Sequence, residues 1–257
     1  MITRIGLWSG PRNLSTALMR SWENRPDTEV IDEPLYAHYL QATGLDHPGR
    51  DEILAAGPVD LDDAIARCLA PLPAGVEVSF QKHMSQHLLP HIDRAWLSGL
   101  RNVLLVRHPV KVLASYTRVR EEVTLDEIGL PQQIELADKS ELIVDADDLL
   151  TDPEWYMRSM CERLSVEFTS SMLTWPAGRR ASDGCWAGHW YESVEASTGF
   201  HQAPTSPPPP IDSLRERLRP LATEALGLYR DLAARRIRLQ APTSGGSKTM
   251  GGNHSPD

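Results

Sequence analysis

The chain has 257 residues, 41% hydrophobic and 24% charged, the size and balance of one globular domain with a sizeable core. A formal net charge of -9 is the wrong sign for a general nucleic-acid binder, and no apolar run is long enough to span a bilayer. Cys68, Cys161 and Cys185 form neither a CxxC pair nor a disulfide framework, and MITRIGLWSG is no signal peptide, so a cytoplasmic location is expected.

Residues 3–8 read as a short buried strand, followed at once by a Gly-Pro turn. Leu14, Ala17, Leu18, Ser21 and Trp22 share one face of a first helix, which Arg25-Pro26-Asp27 ends. Glu29 to Asp32 form a second strand running into Glu33-Pro34, and residues 35–59 mix a short helix with a Gly/Pro-rich loop. Asp60, Asp62 and Asp63 sit where the positive end of a helix dipole favours them. Residues 76–81 alternate as a strand, and a helix is predicted from about Ser85 to Leu97. Asn102 to Val106 is the continuous apolar run of a central parallel strand, with Pro109 opening the next helix, to Arg118. Leu142 to Val144 is a further strand, and Asp152-Pro153 starts a helix to about Leu164. Residues 176–210 look irregular and end in Pro207 to Pro210, before a last helix from about Ile211 to Leu239. Strands alternating with helices predict a three-layer α/β/α fold with a central parallel sheet. Residues 1–240 form the domain, and residues 241–257 read as a disordered tail.

Two features carry chemistry. The loop Gly10, Pro11, Arg12, Asn13, Leu14, Ser15 and Thr16 joins a strand to a helix, so backbone N–H groups and the helix dipole there attract anions. Arg12 adds a fork of donors suited to phosphate or sulfate. The loop lacks GxxxxGK[ST], which argues against an ordinary kinase. The second feature is Arg107, with Pro109 and Ser115. Arg107 closes a buried strand at the sheet edge where ligands bind, and Ser115 lies about two turns into the next helix. Taken alone, either feature reads equally as a plain turn or a capping arginine.

Taken together they resemble the sulfotransferases that use 3′-phosphoadenosine-5′-phosphosulfate, PAPS. Arg12-Asn13-Leu14-Ser15-Thr16 stands where that family has Arg or Lys followed by Ser-Gly-Thr-Thr, and Arg107, Pro109 and Ser115 match its 3′-phosphate motif. Asp147-Asp148 and Asp152-Pro153 resemble a further family stretch, and the likeness, closest to a bacterial sulfotransferase-like subgroup, covers roughly residues 3–200. It implies a P-loop-nucleotide-hydrolase-like fold, PAPS as donor with adenosine 3′,5′-bisphosphate as product, no metal, and a hydroxyl or amine of a small molecule as acceptor. Asn13-Leu14 replaces Ser-Gly, and the family's C-terminal Gly-rich motif is absent. A Trp- and Gly-containing stretch from Gly184 to Phe200 stands near its place, with Arg179 and Arg180 just before it, where they could cover the nucleotide.

The acceptor must lose a proton, and two bases compete. Glu33 follows the second strand, where Pro34 fixes the chain direction. His83 follows the third, near the site where relatives carry a Lys-Thr-His segment. Glu33 is preferred. Lys82 would help neutralise the leaving phosphate, and Tyr36 and His38 would line the acceptor pocket. Trp186 and Trp190 are candidates to cover adenine or acceptor. His83, His87 and His91 recur every four residues, but with no HExxH and no nearby Cys or carboxylate set they read as a polar helix face. The competing reading is a catalytically inactive P-loop-like nucleotide-binding or scaffold protein, motivated by Asn13-Leu14. Partners are limited to the small acceptor, with no nucleic acid and no membrane, and a homodimer is left open.

Overall fold

The computed structural model describes residues 2–118, 122–203 and 207–239. Its centre is a five-stranded sheet, entirely parallel: β1 (Thr3–Ser9), β2 (Thr28–Asp32), β3 (Val78–Met84), β4 (Arg101–Val106) and β5 (Leu142–Asp145). The strand order is β2-β3-β1-β4-β5. The chain therefore places β2 and β3 on one side of β1, then crosses to β4 and β5 on the other. Such a reversal opens a crevice at the carboxyl ends of the strands, beside β1.

Side chains alternate across each strand, and the two faces bury two clusters. Ile5, Leu7, Val78, Phe80, Val103 and Leu105 pack under α1 (Ser15–Glu23), α2 (Tyr36–Thr43) and α8 (Pro153–Arg163). Trp8, Leu104, Val106 and Ile143 pack under α4 (Leu61–Leu69), α5 (Pro109–Tyr116), α6 (Leu130–Leu136) and α11 (Arg219–Ala234). Shorter helices complete the chain: α3 (Arg50–Ala56), α7 (Ala146–Leu149), α9 (Ala187–Trp190) and α10 (Glu192–Glu195). The expected α/β/α sandwich is the observed one.

Helix starts follow local chemistry. The Asp60 carboxylate accepts from the N–H groups of Asp62 and Asp63, Asp152 caps Trp155, and Pro109 enters α5 in its first turn. Two expected helices differ. Residues 85–97 form no helix: single 3-10 turns at Ser85–His87 and Ala95–Gly99 flank an irregular stretch around Pro90, which lacks the N–H a helix would need. The last helix starts at Arg219 rather than Ile211, because Pro220 suits only a first turn, and the segment before it makes two 3-10 turns. The expected tail, residues 241–257, lies outside the described residues. No helix among the described residues is long and apolar enough to cross a membrane.

Candidate active site

A cleft of about 440 Å³ lies over the carboxyl ends of the strands. Its floor begins where β1 ends. Gly10 must be glycine, because a Cβ there would stand 2.4 Å from the Ile128 carbonyl oxygen. The chain then turns with Arg12 at φ 63 and Leu14 at φ 70. A non-glycine residue holds such a conformation only where its surroundings impose it, and successive N–H groups bent this way form an anion-binding nest. The first turn of α1 takes no side-chain cap, and its Ser15, Thr16 and Ala17 line the cleft. The orphan N–H groups of that turn carry the positive end of the dipole. Asn13 is buried and its side-chain amide donates to the Leu105 carbonyl at 3.2 Å. The residue that departs from the resembled motif is thus an anchor, fixing the loop to β4.

Two guanidinium groups meet over this loop. Arg12 Nε donates to Ser115 Oγ at 3.0 Å, and Arg107 Nη1 donates to the Arg12 carbonyl oxygen at 2.8 Å. Asp147 pairs with Arg107 at 3.4 Å and Lys111 at 3.1 Å, which orients the Arg107 fork from behind. Burial, then the neighbouring Arg107 and Arg118, hold the Arg12 guanidinium below its ordinary pKa. Like charges gathered in this way are a seat for an anion of more than one negative charge.

Across β1, the ends of β2 and β3 bring carboxylates to the same cleft. Glu33 takes φ 42 directly after β2, and its N–H donates to the Lys82 carbonyl at 2.8 Å. Lys82 Nζ donates to Glu33 Oε1 at 2.5 Å, Asp32 Oδ1 at 2.9 Å and the Tyr191 hydroxyl at 2.7 Å. The Tyr191 hydroxyl in turn donates to Asp32 Oδ2 at 2.7 Å and accepts from Trp186 Nε1 at 3.1 Å. Burial opposes the Lys82 charge, but Asp32 and Glu33 more than offset it and its pKa lies well above the ordinary value. Two carboxylates on one ammonium leave one negative charge over. That excess falls on Glu33: burial raises its pKa, the Lys82 ammonium lowers it, Asp32 raises it again, and the result is about 6. A cleft carboxylate with this pKa can accept a proton at neutral pH.

His83, one residue further, is elsewhere. Side chains alternate along β3, so Lys82 follows Phe80 toward the α1 face while His83 points to the opposite layer. There it stacks on Trp8 at 4.2 Å with its Nε2 3.2 Å from Gln81 Oε1. It does not line the cleft. Burial, then the Lys82 charge, push its pKa down to about 3.

Other expectations divide in the same way. Tyr36 lines the cleft, with its hydroxyl 2.9 Å from His47 Nδ1. His38 does not: it faces outward, its Nε2 3.1 Å from that of His91. With residues 85–97 not helical, His83, His87 and His91 share no helix face. Trp190 lines the cleft and Trp186 backs Tyr191. Arg179 and Arg180 stand away from the cleft: Arg179 pairs with Glu195 at 3.6 Å and the Arg180 guanidinium donates to the Pro176 carbonyl. The fully buried Arg20 instead ties α1 to this segment through Asp183 at 2.6 Å. Asp32 was given no role from the sequence, and its position next to Glu33 at the end of β2 was the signal that could have found it. Tyr191 carried no local signal, since it joins Lys82 across 109 residues of sequence.

Comparison with known proteins adds to this geometry. A family model described as Sulfotransferase domain matches residues 3–236. Two curated Arabidopsis thaliana proteins, branched-chain-amino-acid aminotransferase-like proteins 2 and 1, are each 38% identical over 202 and 199 residues, or 76% and 75% of this chain. The chain spans only 36% of the length of either. Among solved structures, the sulfotransferase domain of the Synechococcus PCC 7002 olefin synthase aligns with a TM-score of 0.51 at 18% identity, covering 90% of this chain and 95% of that one. The sulfotransferase domain of the curacin biosynthetic pathway gives 0.53 at 15%, covering 93% and 99%. A sulfotransferase from Alicyclobacillus acidocaldarius gives 0.52 at 13%, covering 92% and 98%. At these identities the likeness is one of fold, the P-loop-like arrangement of a parallel sheet.

Proposed function

The chain belongs to the sulfotransferase domain family, and from that premise we propose that it transfers a sulfuryl group from PAPS to a hydroxyl or amine of a small acceptor. The observation that carries the reading is the meeting of Arg12, Arg107 and Ser115, from two loops and a helix far apart in sequence, over an uncapped helix N-terminus. A nucleotide with a phosphosulfate at one end and a 3′-phosphate at the other needs two anion seats. The loop N–H groups with Arg12 serve the first, and Arg107 with Ser115 serves the second. The likeness to domains that are themselves sulfotransferases supports the same assignment.

In the reaction, the acceptor oxygen or nitrogen bonds to sulfur while the bond from sulfur to the 5′-phosphate oxygen breaks. The acceptor proton passes to the Glu33 carboxylate. Negative charge collects on the departing phosphate, where Arg12 and the loop N–H groups stabilise it, while Lys82, its three N–H groups taken by Glu33, Asp32 and Tyr191, holds the base in place. A reducing cytoplasmic setting accords with Cys68, Cys161 and Cys185 as free thiols.

Titration calorimetry tests the donor site. Adenosine 3′,5′-bisphosphate should bind saturably and far more tightly than AMP, and equally poor binding of both sinks the reading. A metabolite extract incubated with PAPS should yield a species heavier by one SO3. Bisphosphate binding with no sulfated product from any acceptor would favour the inactive binding module instead.

A further inference from the structure

Asp32, the carboxylate beside the base, takes no direct part in the transfer. Neighbours in a strand point to opposite faces, yet Asp32 and Glu33 both reach one ammonium, because Glu33 leaves β2 at φ 42. The Asp32 side chain is 2% exposed and does not line the cleft, so it stands behind the reacting atoms. Its two oxygens are divided between the sheet and the segment above it. Oδ1 accepts from Lys82 Nζ at 2.9 Å, and Oδ2 accepts from the Tyr191 hydroxyl at 2.7 Å and the Gly184 N–H at 3.2 Å.

Tyr191 joins α9 to α10, two helices of a single turn each. Its hydroxyl hydrogen goes to Asp32, and its oxygen accepts from Lys82 and Trp186. The Lys82 ammonium is used as fully, with one N–H each for Glu33, Asp32 and Tyr191. Every donor in this buried set has its acceptor, so deleting one atom leaves another unpaired. Arg20 pins the same segment to α1 through Asp183 at 2.6 Å. The charges facing Glu33 are those of Lys82 on β3 and Asp32 on β2. On the other elements of this half of the cleft, burial keeps the Tyr36 hydroxyl protonated and the His87 imidazole neutral, while His47 faces the Tyr36 hydroxyl at 2.9 Å.

Resting on Glu33 as the base, we propose that Asp32 and Tyr191 are positioning residues, through which the segment from Gly184 to Tyr191 holds the Lys82–Glu33 pair in the geometry that receives the acceptor proton. Asp32 also sets the balance of charge. With two carboxylates on one ammonium, Glu33 is less fully paired than it would be alone with Lys82, and it keeps its affinity for a proton.

Two measurements test the assignment. Protein isotope-labelled at the glutamate carboxyl carbons is titrated by NMR, with the Glu33 resonance identified by its loss in Glu33→Gln. Its midpoint in the wild type should lie at about 6. Asp32→Asn keeps the shape and removes the second negative charge, so the midpoint should fall by about one unit or more. The remaining glutamate resonances report that the variant is folded. The second measurement is release of adenosine 3′,5′-bisphosphate from PAPS, with a metabolite extract as the source of acceptor. Tyr191→Phe, which deletes a single oxygen atom, should slow release roughly 10- to 100-fold, the cost of a misplaced catalytic group. Added to Glu33→Gln, it should slow release by no more than about twofold further, since a residue that acts through Glu33 then has nothing left to position. An unmoved midpoint in Asp32→Asn, or a Tyr191→Phe loss that multiplies in full onto that of Glu33→Gln, overturns the inference and leaves Glu33 as the base. Release at the wild-type rate from Glu33→Gln overturns the base assignment, and the inference with it.

Discussion

Glu33→Gln is the substitution that separates chemistry from binding. Glutamine keeps the shape and an acceptor oxygen for the Lys82 ammonium, which retains Asp32 at 2.9 Å and Tyr191 at 2.7 Å. What it removes is proton affinity. With a pKa of about 6, Glu33 is roughly nine-tenths ionised at pH 7 and able to take the acceptor proton. A positioned base contributes roughly 10²- to 10⁴-fold, so kcat should fall by that factor. The Kd for adenosine 3′,5′-bisphosphate should change by less than about threefold, an effect below 1 kcal/mol, because Glu33 faces the opposite half of the cleft from Arg12 and Arg107. In the wild type, kcat/KM for the acceptor should rise with pH through about 6 as the carboxylate loses its proton, and the variant should lose that limb. Stability moves oppositely. The folded pKa lies above the ordinary 4.5, so the stabilisation from binding that proton is full below 4.5 and is lost as pH rises through 6, about 2 kcal/mol in all. Chromatographic product assays from pH 5 to 8, with calorimetry beside them, decide the matter. A variant within about threefold of wild-type kcat, well short of the loss expected for a missing base, or one retaining the limb near 6, would refute Glu33 as the base.

Three other outcomes follow from the geometry. Arg107→Ala removes a charged fork from the second anion seat, and at roughly 2–3 kcal/mol for a charge-assisted contact should weaken adenosine 3′,5′-bisphosphate about 30- to 150-fold, with AMP nearly unaffected, by calorimetry. Gly10→Ala forces a methyl to within 2.4 Å of the Ile128 carbonyl, and an overpacking cost of about 1–3 kcal/mol should lower Tm by roughly 2–12 °C in a thermal melt. His83 is buried with a pKa near 3, against an ordinary 6.5. Its neutral form is favoured in the fold, so stability is full above 6.5 and lost as pH falls toward 3, on the order of 1 kcal/mol per unit. Denaturant titrations at pH 4 to 7 should show His83→Gln with the shallower slope, and equal slopes would mean that His83 is solvated.

The cleft was legible in the sequence wherever the signal was local. A strand, a Gly-Pro turn and a helix start lie within sixteen residues, and Arg107, Pro109 and Ser115 are spaced by the strand and helix that carry them. Each such element presents its ends at the sheet edge whatever the rest of the chain does. That is why Arg12, Ser15, Thr16, Glu33, Lys82, Arg107 and Ser115 all line one cleft. The choice between Glu33 and His83 needed more. Lys82 and His83 are neighbours in sequence, and only the pairing of β3 between β1 and β2 decides which side chain meets the cleft, since one residue along a strand reverses the face. The same holds for the segment from Arg179 to Phe200, which has little regular structure to predict. Its path over the sheet is set by distant contacts, Arg20 with Asp183 and Tyr191 with Lys82 and Asp32, and those contacts place Tyr191 and Trp190 over the site while turning Arg179 and Arg180 away. Chemistry-bearing residues at strand and helix ends are determined by short-range sequence. Which of them share a charge, a face and a desolvated pocket is decided by tertiary packing, because burial and Coulomb interactions depend on distance in space rather than along the chain.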